Sequence, residues 1–523
     1  MKWKNIFYYV ICIGFLAIGL IAENQFSVLR HVKSIFVFEK SNDHDLYGKN
    51  LIVNELRFYI SEENYEQIIT QQKKALNGEK EFTYVNAFCI IENDSLPIKV
   101  KLKGDRAIHF NDSSKLSFRV KVLNGKSVFK LKKFSLHHPI ARNYVYEWIF
   151  HRALDKLGLL SLKYEFINIE LNGNKLGLYA FEEHFEKSLL ENKKLPIGPI
   201  LRFNEDYSWH ELHSTFIEPY QAKFWLTNYP DITQEAISRM EKWRRAELTT
   251  SEVFNVESLA SFFAITDVLW FNHGQAWKSI RFYYNPETKL INPIGYDGHY
   301  NDFFIKNKIA PQLSSTLPIM QVDKKFWVEY YNDWYRLLFS NPLTFDESFF
   351  EQYLLYLKEY SDETWIEDFL KAIKNDLDKN LAIISSQEDS YEDKMFSYGE
   401  DKFQFSDQSF YSRAAFIKKL LKQEKVIHAY PIHLDNGRMA IEIENIGFIP
   451  VKIDSIKIDN GDLKEVIFCD KIILPHQSNI DPKFEIIVVG DLEISKSSNV
   501  KVNFHELGDS AVKQIKMFPW RRK

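Results

Sequence analysis

Alternating apolar and polar residues predict a pair of short strands in the first third of the chain. Residues 98–103 and 116–122 each alternate apolar side chains with lysine or arginine, which is the pattern of a strand with one buried face. They flank a polar loop that begins Gly104-Asp105-Arg106. We therefore expect these two strands to pair across that loop.

Such pairing would place four cations, Lys101, Lys103, Arg119 and Lys121, on one side of a two-stranded ribbon. Like charges that face each other across a strand pair are destabilising unless something neutralises them. A bound anion such as a nucleotide triphosphate would do so, and a solvated Lys/Arg face is the alternative. The pattern alone leaves both interpretations open.

The next segments predict two helices and a hairpin. Residues 142–157 have apolar positions at helical spacing and carry Glu147, and residues 254–271 form a second, more apolar helix. Between them, residues 165–181 read as a hairpin around the turn Asn172-Gly173. The hairpin leads into Glu182 and Glu183. These two residues could belong to a ligand site or form ordinary ion pairs, and the sequence leaves both interpretations open.

A second hairpin ends in a candidate metal ligand. Residues 280–284 and 290–294 predict two strands joined by a turn at Asn285-Pro286, followed by Asp297-Gly298. A carboxylate just past a strand end can bind a metal ion, and we expect the adjacent glycine to supply backbone freedom. Most Asp-Gly pairs are ordinary turns, so this alternative stays open.

The two ends of the chain differ from its middle. A basic start is followed by an apolar run, residues 6–22, which predicts either a cleaved signal peptide or a short transmembrane helix. Cleavage after Ala22 would place Leu20 at a position where signal peptidases prefer a small residue. An uncleaved anchor is therefore favoured. This predicts a single-pass protein of the cell membrane with its bulk outside the cytoplasm. From residue 426 onward, short alternating runs separated by turn residues predict a β-sandwich.

Composition excludes several classes of protein. The net charge of −4 and pI near 6.5 give no reason to expect a nucleic-acid partner. Only three cysteines occur, and Cys89 and Cys469 lie far apart in the chain, so a disulfide framework is not expected. Neither Gly-x-Ser-x-Gly nor His-Glu-x-x-His is present.

Several short motifs together resemble the CotH kinase family of secreted or spore-coat protein kinases. They occur in the family's order and cover roughly residues 50 to 400. The motifs are Leu102-Lys-Gly-Asp-Arg, Ser117-Phe-Arg-Val-Lys, Phe134-Ser-Leu-His-His-Pro, Arg142-Asn-Tyr-Val-Tyr-Glu-Trp, Leu171-Asn-Gly-Asn-Lys-Leu-Gly-Leu-Tyr-Ala-Phe-Glu-Glu-His-Phe, Gly198-Pro-Ile, and Arg281-Phe-Tyr-Tyr-Asn-Pro through Asp297.

The resemblance implies an enzyme that binds ATP with Mg²⁺ and transfers the γ-phosphoryl group to Ser or Thr of surface or coat proteins. By position, Asp297 would be the metal ligand. The residues implied at the nucleotide are Lys103, Arg106, Arg119, Lys121, Glu147 and Glu182. Such chemistry depends on charge neutralisation and positioning more than on covalent help.

One departure from the family concerns the base and the second metal ligand. His273 lies near the expected catalytic Asp, and Ser279 replaces an expected Asn. Imidazole accepts a proton near neutral pH, whereas a hydroxyl is a weak magnesium ligand. Asp267, nearly two helical turns earlier, is the alternative base.

The predicted fold class is α+β, with a protein-kinase-like (CotH-type) domain before a C-terminal all-β sandwich and after an N-terminal transmembrane or signal segment. Two alternatives to the kinase stay open. One is a catalytically silent scaffold in envelope or coat assembly, and the other is transfer of a phosphoryl or nucleotidyl group to a non-protein acceptor such as a surface glycan. The predicted boundaries are 1–25 for the anchor, 26–50 for a linker, 51–400 for the kinase-like domain, 401–425 for a helical linker and 426–523 for the sandwich.

Overall fold

The computed structural model describes most residues between 54 and 518. The described ranges are 54–91, 94–104, 106–204, 216–276, 279–298, 337–339, 344–385, 403, 405–422, 425–433, 439–447, 449–459, 464–474, 484–490 and 499–518. The predicted anchor and first linker lie outside them.

The first seven strands close into a barrel with the order β1-β2-β3-β4-β5-β7-β6. Parallel pairing of β1 with β6 closes the circle, and the other neighbours are antiparallel. Alternate side chains such as Ile98, Val120 and Phe134 point inward and form an apolar core. The strands are β1 (Glu55–Tyr59), β2 (Val85–Ile91), β3 (Asp94–Leu102), β4 (Phe118–Val122), β5 (Lys133–His137), β6 (Tyr164–Leu171) and β7 (Asn174–Glu183).

This closed barrel shows that the predicted protein-kinase-like α+β fold class is wrong. The decisive element is β1, which sequence patterning left without an assignment. The Asn172 side chain accepts a hydrogen bond from the Ile60 N–H at 2.8 Å and donates one to the Ile60 carbonyl at 2.9 Å. The end of β1 is thereby fastened to the β6–β7 turn, and a sheet that would otherwise be open has no free edge there.

The predicted single-pass membrane location is also corrected. Among the residues that the structure describes, no helix combines the length and the apolar character needed to cross a bilayer. The segment on which the prediction rested, residues 1–25, lies outside those residues.

The part of the chain that the structure describes contains ten α-helices. A large apolar core joins α2, α7 and α8, with α7 almost wholly buried. The predicted helices at 142–157 and 254–271 are confirmed as α2 and α7 with shorter ends. The helices are α1 (Glu62–Leu76), α2 (Val145–Lys156), α3 (Lys187–Asn192), α4 (Ala222–Asn228), α5 (Pro230–Arg244), α6 (Thr250–Val253), α7 (Val256–Val268), α8 (Glu347–Tyr360), α9 (Glu363–Ser385) and α10 (Gln408–Leu420).

A second sheet lies beside the barrel and has the strand order β11-β10-β8-β9. Its β10–β11 hairpin pairs Arg281 with Ile294 and Asn285 with Leu290, as the sequence predicts for this turn. The strands are β8 (Ile200–Phe203), β9 (Ile217–Pro219), β10 (Arg281–Asn285) and β11 (Leu290–Ile294).

The C-terminal part contains a three-stranded sheet, β12-β13-β16, and a four-stranded sheet, β15-β14-β17-β18. Apolar side chains from both sheets, such as Ile443 and Ile456, share one core. The predicted domain boundaries near residues 400 and 426 stay predictions. The strands are β12 (Ile427–His433), β13 (Met439–Asn445), β14 (Val451–Asp459), β15 (Lys464–Ile473), β16 (Phe484–Gly490), β17 (Asn499–Glu506) and β18 (Lys513–Lys516).

Candidate functional site

A polar cavity of about 270 Å³ lies between the outer face of the barrel and the second sheet. The barrel contributes Arg119 from β4 and Glu182 from β7, and the second sheet contributes Arg281 from β10. Aromatic rings that follow β9 and β11, those of Tyr220 and Tyr296, complete the wall. We call this cavity the cleft.

Four barrel residues form a row across neighbouring strands at the cleft. The strand register pairs Lys101 with Arg119, Arg119 with Ser135, and Ser135 with Glu182. Their neighbours along each strand point into the barrel core, so all four side chains lie on its outer face. The predicted pairing of the two cationic strands is confirmed. We call Lys101, Arg119, Ser135 and Glu182 the inner row.

Lys103 and Glu182 form a buried ion pair beside this row, with 2.9 Å between Lys103 Nζ and Glu182 Oε2. Lys103 is 7% exposed and Glu182 is 1% exposed. Burial lowers the pKa of Lys103 to about 8, although the carboxylate opposes that effect. Burial alone would raise the pKa of Glu182, but Lys103, His137 and Arg142 outweigh it and hold that pKa well below its ordinary value. Both groups are therefore charged at neutral pH.

Arg142 links this ion pair to Asp297. Its Nε lies 3.7 Å from Glu182 Oε1, and its Nη1 lies 2.7 Å from Asp297 Oδ1. A further nitrogen, Nη2, donates to the Tyr296 hydroxyl at 2.9 Å. Arg142 lies just before α2, at the end of a short 3-10 turn. A continuous chain of charges thus runs from the barrel to the end of β11.

Glu147 has a different role from the one that the family resemblance implies. It is fully buried on α2, and its Oε1 accepts the Asp297 backbone N–H at 2.9 Å. The same oxygen lies 3.4 Å from His151 Nε2. The resemblance implied Glu147 at the nucleotide, but both of these contacts lie within the protein. Glu147 therefore positions the backbone that carries Asp297.

Asp297 and Gly298 meet two different structural requirements of this turn. Asp297 itself adopts the left-handed conformation, with φ of 58°. Gly298 is required for close packing, because a Cβ at that position would lie 2.4 Å from Cδ1 of Phe150 on α2. The expected reason for this glycine, backbone freedom, is thus replaced by a steric one.

His273 and Ser279 meet at Asp297, as their predicted roles require. His273 Nδ1 lies 2.8 Å from the Asp297 carbonyl oxygen, and Ser279 Oγ lies 3.1 Å from the same nitrogen. Because a carbonyl oxygen only accepts, Nδ1 carries the proton in this contact. The Ser279 hydroxyl then donates to Asp297 Oδ2 at 3.4 Å. These three residues form one cluster beside Arg142.

Asp267 lies elsewhere, in the helical core. Its Oδ2 accepts the Tyr353 hydroxyl at 2.6 Å, and its Oδ1 accepts the Gln275 amide at 3.1 Å. Burial raises the pKa of Asp267 to about 6. Both carboxylate oxygens are used inside the core, so the structure brings His273, not Asp267, to the Asp297 cluster.

Two predicted phosphate contacts lie at the edge of the site. Lys121 is exposed, two residues beyond Arg119 on the same face of β4. Arg106 is half-exposed in the loop after β3. That loop depends on Gly104, whose φ is 104° and whose Cβ would lie 2.1 Å from the His109 ring.

Sequence patterning missed several residues of the site. Arg142 stood in a recognised motif, but nothing in the pattern indicated that it would bridge two carboxylates. Ser135, Tyr220 and Arg281 had no assigned role. Arg281 Nε donates to the Tyr220 hydroxyl at 2.6 Å, and its guanidinium lies 5.2 Å from the centre of the Tyr296 ring. Alternation within single strands gives no signal for such contacts between sheets.

Several buried polar atoms at the cleft have no hydrogen-bond partner among the residues that the structure describes. Those of the cavity lining are Arg119 Nε, Glu182 Oε1, Glu183 Oε1 and His184 Nδ1, and Ser135 Oγ lies beside them in the inner row. Buried polar groups are nearly always hydrogen-bonded, because an unmade bond costs about 1–3 kcal/mol. Their concentration at one cavity indicates a place for a polar ligand or for water.

The described residues could supply only some of the ligands of a magnesium ion. Within the described ranges, no group of three or more His, Cys, Asp or Glu side chains is placed to bind a metal. Mg²⁺ nevertheless often uses one or two carboxylates together with phosphate oxygens of a substrate. Asp297 Oδ2 and Ser279 Oγ fit that pattern, with the remaining ligands supplied by a phosphate and water.

No protein-family model matches the chain, and no curated protein matches it at a significant level. The resemblance to the CotH family therefore stays a prediction from the motifs.

Proposed function

We propose that the chain is a phosphotransferase that binds ATP with Mg²⁺ in the cleft and transfers the γ-phosphoryl group to Ser or Thr of a protein. The observation that carries the proposal is the inner row with its unpartnered polar atoms, of which Arg119 and Glu182 line the cleft. Arg142 connects Glu182 of this row to Asp297. Clustered cations and hydrogen-bond donors are what a phosphate group requires.

Charge supports a phosphate rather than a neutral ligand. Lys101 and Arg119 lie opposite each other on adjacent strands. Burial lowers the pKa of Lys101, and repulsion by the neighbouring Arg119 lowers it further. Phosphate oxygens between these side chains would relieve that repulsion.

The Asp297 cluster would serve the transfer step. Mg²⁺, when bound, would neutralise charge on the phosphates, and Asp297 with Ser279 would help to hold it. The acceptor hydroxyl oxygen forms a bond to the γ-phosphorus as the bond from that phosphorus to the β–γ bridging oxygen breaks, and ADP leaves. The hydroxyl proton passes to His273 Nε2, because Nδ1 already donates to the Asp297 carbonyl.

A non-catalytic module that binds a phosphorylated ligand is the second candidate. It is favoured by the pairing of both described carboxylates of the charge chain, Glu182 with Lys103 and Asp297 with Arg142. A metal ion would have to compete with Arg142 for Asp297. In this alternative the cleft binds ATP for assembly and transfers nothing.

Two measurements on the full chain separate these candidates. The first is thermal stabilisation by ATP with and without Mg²⁺, where a ligand at 100 times its Kd adds about 2.7 kcal/mol. The second is transfer of labelled γ-phosphate to an added protein substrate. Asp297→Asn should abolish transfer and the magnesium-dependent part of the stabilisation, whereas the exposed control Asp376→Asn should change neither.

Each outcome has one meaning. Stabilisation together with transfer supports the phosphotransferase. Stabilisation without transfer supports the non-catalytic module. Absence of stabilisation by ATP under both conditions contradicts both candidates.

A further inference from the structure

A second set of cations lies outside the cleft, next to the inner row. The strand register pairs Lys99 with Lys121, and Lys121 with Lys133, on β3, β4 and β5. Each lies two residues from a member of the inner row on the same strand face, which is a displacement of about 7 Å. We call Lys99, Lys121 and Lys133 the outer row.

Exposure increases steadily away from the cleft. On β3, Lys103 is buried, Lys101 is half-buried and Lys99 is exposed. On β4, Arg119 is half-buried and Lys121 is exposed. The cationic surface is therefore a strip that begins inside the cleft and ends in solvent.

The strip has little internal neutralisation. In the described part of the chain, no carboxylate lies within 4.0 Å of the cationic nitrogens of Lys99, Lys101, Arg119 or Lys121. Lys133 Nζ lies 3.5 Å from Glu186, which is the one ion pair that the described residues give the outer row. Lysines directly opposite each other on adjacent strands destabilise a sheet. The strip therefore favours an anionic partner.

We infer that the outer row is a docking surface for an acidic segment of the acceptor protein. The inference rests on the proposed function, because it assigns the acceptor of the same site. Three neighbouring strands make the row about 10 Å across, which matches about three residues of an extended peptide. The inner row lies about 7 Å away along the strands, so a peptide held on the outer row lies beside the cleft.

The narrow width of the cationic strip and the net charge of the chain favour an acidic peptide over nucleic acid as the ligand. Nucleic-acid-binding domains generally have a pI above about 9 and a broad basic face. This chain has a pI near 6.5 and a net charge of −4. A narrow basic strip on such a background selects a short acidic stretch.

Binding of short labelled peptides to the full chain, followed by fluorescence anisotropy, tests the inference. The probes are a Glu-rich peptide that contains one Ser, its Gln-for-Glu counterpart, and a single-stranded oligonucleotide of equal charge. The variants are Lys99→Glu and the double change Lys99→Glu/Lys121→Glu. Lys457→Glu is the matched control, because Lys457 is also an exposed strand lysine that faces a lysine, Lys501, across its sheet.

The Glu-rich peptide should bind, and its affinity should fall as salt rises. We expect Lys99→Glu to weaken it about fivefold and the double variant about 25-fold, if the exposed pairs contribute independently. Lys457→Glu should bind it like the wild type. Stabilisation by ATP should be unchanged in Lys99→Glu, so a loss of peptide affinity alone separates this inference from a failure of the nucleotide site.

Wild-type affinity for the Glu-rich peptide in both outer-row variants would overturn the inference. So would equal binding of the Gln-rich peptide, or tighter binding of the oligonucleotide than of the Glu-rich peptide. If ATP fails to stabilise the wild type while the acidic peptide binds at the outer row, the docking surface stands and the proposed nucleotide function falls.

Discussion

The helical core around Asp267 and the cleft around Glu182 both bury a carboxylate near a cation, but their polar atoms are hydrogen-bonded differently. The cation is Arg413 for Asp267 and Lys103 for Glu182. Both oxygens of Asp267 accept hydrogen bonds, from Tyr353 and from Gln275. In the cleft, Glu182 Oε1 has no such partner within the described residues, nor have Arg119 Nε and Ser135 Oγ. Burial and charge alone thus do not identify a functional site. Buried polar atoms without hydrogen-bond partners at a cavity are a better indication of a ligand site.

The largest effect should come from breaking the buried pair at the cleft. Glu182→Ala leaves Lys103 buried without its carboxylate, so we expect the free energy of unfolding to fall by about 3–5 kcal/mol. Urea denaturation measures it. The double variant Lys103→Met/Glu182→Leu is the control and should lose far less, because two apolar groups need no neutralisation. A loss below 1 kcal/mol in Glu182→Ala would show that the pair is not a closed, buried one.

The pH dependence of the free energy of unfolding should show the raised pKa of Asp267. Burial raises the pKa of Asp267 from 3.8 to about 6, so the folded state binds this proton more tightly than the unfolded state does. The resulting stability is present below about pH 4 and is lost as the pH rises towards about 6. For this shift the loss is about 3 kcal/mol.

Urea denaturation of the wild type and of Asp267→Asn across this pH range checks the prediction. The variant has no titrating group at that position and should lack this part of the slope, while its ATP binding should match the wild type. Identical slopes in both proteins would contradict the assignment of the raised pKa to Asp267.

A smaller effect is expected from the steric support of Asp297. Gly298→Ala places a methyl group against Phe150 and should destabilise the fold by about 1–3 kcal/mol. It should also weaken ATP binding, because Asp297 moves with its neighbour. Gly125→Ala is the comparison, since the structure shows open space around that Cβ, and only the backbone strain of its positive φ applies. Equal ATP affinity in Gly298→Ala and the wild type would separate Asp297 from the ligand site.

Local patterns in the sequence were enough to predict single elements of this molecule. Alternating Lys and Arg residues predicted the pairing of β3 with β4, and Asn172-Gly173 predicted the β6–β7 hairpin. Asp297, His273 and Ser279 were expected at one site, and the structure brings them together. The strand and hairpin predictions rest on a period of two residues and on turn chemistry, both of which are short-range. The expectation for His273 and Ser279 came from the family resemblance.

The closure of the sheet and the choice of ionic partners could not be predicted in the same way. Strand β1 has only five residues and closes the barrel through a parallel partner far along the chain. Lys103 pairs with Glu182, 79 positions away, although the resemblance implied both residues only as nucleotide contacts. Such pairs depend on which strands become neighbours, and alternation within one strand contains no information on that.

The central claim, that the inner row binds a phosphate-bearing anion, is tested most directly by calorimetric titration of ATP with Mg²⁺. The comparison is between the wild type, Arg119→Gln and the control Lys457→Gln. Loss of a charged hydrogen bond of about 1.5–3 kcal/mol should weaken the Kd of Arg119→Gln by about tenfold or more, with the control unchanged. An Arg119→Gln variant that is folded and binds ATP with the wild-type Kd, or a wild type that shows no binding, would contradict the account.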